Sequence, residues 1–85
     1  MKWLAKVYVT LKGSVLDPQG TAVTHALHAL SYRTVEDVRI GKYMEVRLDA
    51  GSREQADELV RGMCGRLLAN PVIETYTYEI VEAAS

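Results

Sequence analysis

Two histidines, one cysteine and six glycines are the residues of this 85-residue chain whose types and spacing could support catalysis or ligand binding. His25 and His28 stand three apart on a predicted helix and could share a metal ion. They fall on the flank away from Val23, Leu27 and Leu30, and no third ligand accompanies them. They read as solvent-exposed helical histidines. Cys64 has no Cys or His at metal-ligand spacing and lies at the edge of an apolar helical stripe, which makes it a packed thiol rather than a nucleophile. The glycines, at positions 13, 20, 41, 51, 62 and 65, match neither a GxGxxG fingerprint nor a P-loop. The carboxylates are scattered over polar faces. No catalytic, cofactor-binding or metal-ligating residue follows from the sequence.

Surplus apolar residues are the stronger signal. Leu68 is predicted on the opposite side of a helix from Leu59, and Leu4 and Tyr8 on the wetter face of the first strand. Tyr76, Tyr78 and Ile80 line one face of the last strand, with Ile73 and Val81 on the other. That many in a short chain predict contact surfaces. A chain of this length buries only about 60–65% of its unfolded surface, so oligomerisation is an expected source of stability. A net charge of −1 leaves no footprint for nucleic acid or an anionic membrane. The lone cysteine cannot form an internal disulfide, and MKWLAKVYVTLK has the pattern of neither a signal peptide nor a membrane span. A cytoplasmic protein is expected.

The elements that must position these residues are legible. Residues 3–11 alternate as a half-buried strand. Asp17 and Pro18 read as N-cap and first residue of a helix that buries Val23, Ala26, Leu27 and Leu30 and ends near Ser31. Ser52 and Gln55 form the capping box of a second helix, whose buried stripe is Ala56, Leu59, Val60, Met63 and Leu67. Asn70-Pro71 stops it. Gly62 and Gly65 within it predict close packing against a neighbour. VIETYTYEIV is a closing strand. A single domain, residues 1–85, results.

VRIGKYMEVRL, residues 38–48, is a hairpin if Gly41-Lys42 is a two-residue turn and one strand if it is not. A turn would split the apolar set between faces. A continuous strand places Val38, Ile40, Met44, Val46 and Leu48 together, with Asp37, Arg39, Glu45, Arg47 and Asp49 on a solvated face. Lys42 alone violates the pattern, and a bulge at Gly41 would turn it outward. The expected fold is α+β: β-α-β-α-β with one long bent middle strand over 35–49, an antiparallel sheet and two helices on one face. Such a strand spans on the order of 50 Å at ~3.3 Å per residue, too long for one protomer to cover. A sheet completed by a second copy follows, resembling two ferredoxin-like halves.

Three stretches carry a family resemblance: LKGSVLDPQGTAVTHAL, then VRIGKYMEV, then LLANPVIETYTYEI. In order and spacing they resemble PurS, the small subunit of bacterial and archaeal phosphoribosylformylglycinamidine (FGAM) synthase. The resemblance implies a cytoplasmic purine-biosynthetic complex. In it a PurQ-type glutaminase releases ammonia, and a PurL-type synthetase uses ATP and magnesium to convert FGAR to FGAM. The PurS-type chain forms dimers or tetramers and bridges the two without catalytic residues or a cofactor of its own; a part in passing ammonia between them is also implied. Leu16 to Gly20 match the first motif, Arg39 to Lys42 the second, and Asn70 to Glu74 with Tyr76 the third. Capping accounts for Asp17, Pro18, Asn70 and Pro71. The candidate subunit-interface residues are Gln19, Gly20, Arg39, Gly41, Lys42, Leu68, Glu74 and Tyr76. The alternative is an ACT-like dimeric small-molecule-binding module, which requires the Gly-Lys hairpin.

Overall fold

β1 (Lys2–Leu11) is the spine on which the other elements hang. In this computed structural model, which describes residues 1–83, β1 pairs antiparallel with β2 (Gly41–Asp49) on one side and β3 (Glu74–Glu82) on the other, giving the order β2-β1-β3. The register, Trp3 opposite Leu48 and Glu82 through Val9 opposite Lys42 and Tyr76, separates two faces. One carries Trp3, Ala5, Val7 and Val9, all buried, flanked by Met44, Val46 and Leu48 and by Tyr76, Tyr78 and Ile80. The other carries Lys2, Leu4, Lys6, Tyr8 and Thr10 and lies uncovered, with Tyr8 and Tyr43 at 43% and 51% exposure. The predicted alternation of the first strand is therefore correct, including Leu4 and Tyr8 on its wetter side.

α2 (Arg53–Met63) lies on the buried face, its Ala56 and Val60 sealed against the sheet. Ser52 Oγ accepts the Gln55 N–H at 3.1 Å, while Gln55 Oε1 accepts from Gly51 N–H at 2.6 Å rather than from the cap residue itself. Leu59, also expected in the buried stripe, is 44% exposed, and the stripe changes further beyond Met63. Residues Cys64–Leu68 form a π-helical turn, marked by the Ala69 N–H donating to Cys64 O five residues back. The wider turn rotates every later side chain relative to an α-helix. Leu67, expected in the core, is 83% exposed, and Leu68, expected at a contact surface, packs against the core. Cys64 sits fully buried in the middle of the stripe rather than at its edge. Burial pushes its thiol pKa up, consistent with an unreactive packed group. Leu68→Ala is expected to cost the isolated chain about 1–2 kcal/mol and Leu67→Ala less than about 0.5 kcal/mol, measured by urea denaturation.

α1 (Pro18–Ala29) departs furthest from expectation. Its apolar stripe finds no cover among the described residues: Val23, Ala26 and Leu30 are exposed and Leu27 is half-buried, while Gly20 and Thr24 are the buried residues. The helix closes through Ser31 in the left-handed region (φ 79°), with Ser31 N–H to His28 O and Tyr32 N–H to Leu27 O. α1 does not lie on the sheet beside α2 as the two-helices-on-one-face expectation has it. The chain spans 51 Å along its long axis, against about 33 Å for a ten-residue strand.

That segment, residues 35–40, decides the Gly-Lys question. It does not fold back on 41–49, so there is no hairpin and the ACT-like reading loses its requirement. Neither does it continue the strand within one chain: β2 starts at Gly41, and among the described residues 35–40 has no ladder partner. Its burial still alternates, Val38 and Ile40 half-buried and Asp37 and Arg39 exposed, as the parity requires. β2 pairs without interruption from Gly41 to Asp49, so the predicted bulge is absent. Lys42 stays on the same face as Met44 and Val46. Gly41 is instead demanded by proximity, since a Cβ there would lie 2.4 Å from Val9 O and 2.8 Å from Thr10 Cγ2.

Candidate functional site

The three motif regions converge where β1 ends, α1 begins and β2 enters the sheet. Asp17, 5% exposed, stands at their centre. As N-cap of α1 its Oδ1 accepts the Gly20 N–H at 3.0 Å. Its Oδ2 accepts the Ile40 N–H at 2.8 Å, a contact that capping does not explain. The Ile40 N–H, then the Gly20 N–H, then the Arg39 charge, hold the Asp17 carboxyl below its usual range against the opposing effect of burial. Gly20 lies against the same segment: a Cβ would come within 2.0 Å of Val38 O.

Of the eight candidate interface residues, Gln19, Gly41, Lys42 and Glu74 line one hollow of about 210 Å³ together with Asp17 and Ile40. Gly20 forms its junction with residue 38. Lys42 Nζ is 3.4 Å from Glu74 Oε2, so the charge that breaks the apolar pattern is met from across β1. Glu74 also accepts the Asn70 N–H at 2.6 Å, and that bond, more than Lys42, lowers its pKa. Arg39 is not part of a solvated cross-strand array. Its Nη2 donates to Lys12 O and Val15 O, each at 3.0 Å, fastening the loop before α1. Tyr76 sits across β1 from Lys42, both paired with Val9, and stacks on Tyr78 with ring centroids 6.3 Å apart. Leu68 lies apart, in the α2 core.

The histidines do not act together. His25 is exposed, and the His28 ring contacts Val35 O at 2.7 Å, again between α1 and the segment before β2. Among the described residues no group of three or more His, Cys, Asp or Glu side chains is placed to hold a metal ion. No helix there is long and apolar enough to cross a membrane. Gly62 and Gly65 face open space within the chain, so the expected close packing is not made internally. Sequence reasoning missed the second partner of Asp17 and the Tyr8–Tyr43 pair, whose rings lie 5.2 Å apart on the uncovered face. The Tyr pair had a signal in Tyr8 as an apolar intruder; the Asp17–Ile40 contact, 23 residues apart, had none.

Three carboxyls, Asp17, Asp49 and Glu74, are held below ordinary values of 3.8, 3.8 and 4.5. Asp49 owes this to the chain's own amino terminus at 3.0 Å and then to Lys2. Each binds its proton more readily in the unfolded chain. The stability they supply is therefore complete above those ordinary values and is lost as pH falls through the lower folded ones. Urea midpoints are expected to hold from about pH 7 to 5 and to drop below about pH 4. A midpoint that stays flat to about pH 3 contradicts these assignments.

Comparison with known proteins rests on the same residues. The PurS family model, described as phosphoribosylformylglycinamidine (FGAM) synthase, matches residues 4–82, nearly the whole chain and all three motifs. The chain belongs to the PurS family. It is 59% identical over 80 residues to phosphoribosylformylglycinamidine synthase subunit PurS of Bacillus subtilis, with 94% of each chain covered. The PurS relative from Synechocystis is 52% identical over 75 residues, covering 88% of this chain and 75% of that one. Among solved structures, Bacillus subtilis PurS superposes with a TM-score of 0.83 at 59% identity, over 94% of this chain and 99% of that one. A chain from the structure of PurLQS from Thermotoga maritima gives 0.87 at 28% identity, over 95% and 99%. The family named from the three motifs is thus the one found, and the α+β architecture of three antiparallel strands and two helices is that of its PurS neighbours.

Proposed function

We propose that this chain is the small assembly subunit of phosphoribosylformylglycinamidine synthase, acting with a PurL-type synthetase and a PurQ-type glutaminase in the glutamine- and ATP-dependent conversion of FGAR to FGAM. The observation that carries this is the match, over 95% of the chain, to a PurS chain in the Thermotoga maritima PurLQS structure. Its chemistry supports a structural part. The buried or shielded charges at the motif junction are engaged in holding backbone N–H groups or each other. ATP and magnesium then belong to the synthetase, and the chain bridges that subunit and the glutaminase, aiding the passage of ammonia between them. The compartment is the cytoplasm.

The chain works as a homo-oligomer, a dimer or tetramer. The exposed apolar side of α1, the unpaired outer edge of β2 and the unpaired residues 35–40 are surfaces that one copy leaves without a partner. Mixing the purified chain with both larger subunits tests the reading. FGAM formation from glutamine is expected only when all three are present, and light scattering is expected to find no monomer. Full glutamine-dependent activity without this chain would falsify the proposal.

A further inference from the structure

We propose that the Asp17 carboxylate is a two-pronged latch that sets how α1 is carried on the sheet, so that Asp17 is a positioning residue for assembly and not only a helix cap. One oxygen holds Gly20 N–H inside α1; the other holds Ile40 N–H one residue before β2. Ile40 N–H lies outside the strand ladder, so this carboxylate takes the place of a strand partner. Apolar packing does not fix the helix: within α1 the buried residues are Gly20 and Thr24. The remaining ties between α1 or its leading loop and 35–40 are polar or close backbone contacts as well. They are His28 to Val35 O, Arg39 to Lys12 O and Val15 O, and Gly20 against Val38 O. Among the side chains that make these ties Asp17 is the buried one, and it joins the start of the helix to the residue that precedes β2.

A consequence follows for assembly, resting on the reading of the chain as an assembly subunit. An arm already held in its bound orientation pays little ordering entropy when partners engage it; an arm free to swing pays more. Charge-assisted bonds of this kind are about twice as strong as neutral ones, so losing one is enough to matter.

Asp17→Asn separates the latch from the cap. Asparagine caps helices about as well as aspartate, so α1 should persist. Its amide has one acceptor oxygen, which can serve Gly20 or Ile40, and its NH₂ then confronts the other N–H. Amide exchange by NMR on the intact chain is the direct readout. Ile40 N–H is expected to exchange at least about tenfold more slowly than an open amide in the wild type, and to lose that protection in Asp17→Asn while far-UV helicity is unchanged. In synthase reconstituted with both larger subunits, the variant is expected to need at least about tenfold more chain for half-maximal glutamine-dependent rate, with the saturated rate unchanged.

An unprotected Ile40 in the wild type overturns the latch even if the variant fails to fold. A variant that saturates the synthase like the wild type overturns its positioning role. Wild-type chain that supports no glutamine-dependent rate counts against the assembly reading instead, and the exchange result still decides the latch.

Discussion

Trp3→Ala is expected to cost the isolated chain about 4–6 kcal/mol of stability. The indole is 6% exposed at the start of β1 on the buried face, between Leu48 and Glu82 across the two neighbouring strands. Truncating a buried tryptophan costs about 3–5 kcal/mol through lost transfer energy and the cavity left behind. Two specific contacts go with it. The indole Nε1–H donates to Ala50 O at 3.2 Å, and the Arg53 guanidinium lies 5.7 Å from the ring while its Nη1 donates to Ile80 O at 2.7 Å. The orphaned Ala50 carbonyl adds on the order of 1 kcal/mol. A domain of this size has a total stability of about 4–13 kcal/mol, so the loss takes much or all of it. Trp3→Phe keeps a ring in the site and is expected to cost only about 1–2 kcal/mol. Urea denaturation at several protein concentrations measures both, because self-association stabilises the folded form by mass action. Equal midpoints for wild type and Trp3→Ala would sink the argument.

Gly20→Ala is expected to destabilise the chain by about 2 kcal/mol, against its local preference. In an open helix alanine is better than glycine by roughly 1 kcal/mol. At position 20 the added methyl would sit 2.0 Å from Val38 O and 2.9 Å from Asp17 Oδ2, so α1 and residues 35–40 must move apart. The Asp17 carboxylate cannot then reach both Gly20 and Ile40 N–H. Gly62→Ala is the internal control, because nothing lies within 4 Å of the added carbon. It should stabilise the free chain by about 0.5–1 kcal/mol. Both glycines are helical, so propensity alone predicts the same sign for the two substitutions. Opposite signs for the two substitutions are the result expected, and the same sign for both would contradict the close approach at residue 20.

Local rules located most of the elements. The alternation in 3–11 defines β1, Asp17-Pro18 and Ser52-x-x-Gln55 mark the helix starts, and the β-branched and aromatic run ending at Val81 defines β3. These signals are legible because capping, pleat and period act over a few residues. Parity across Gly41 rejected the hairpin for the same reason, and the VLDPQG, VRIGK and NPVIE stretches named the family. The motif residues also proved to be neighbours, with Gln19, Gly41, Lys42 and Glu74 around one hollow.

Local pattern therefore yields the elements, their order and the family. How side chains are apportioned between core and surface, where the backbone departs from the regular period, depends on contacts made after folding. A π-turn at Cys64–Leu68 exchanged Leu67 for Leu68, and no residue type announces such a turn. Lys42 reads in the sequence as a charge out of place, because its partner Glu74 lies 32 positions away on another strand. Asp17 reads as a cap, because Ile40 comes within reach of it only after the chain has folded back. The stripe of α1 points to burial by its period, yet among the described residues nothing covers it. A periodic pattern says that a face needs cover; the source of that cover depends on contacts between distant parts of the chain or between copies of it.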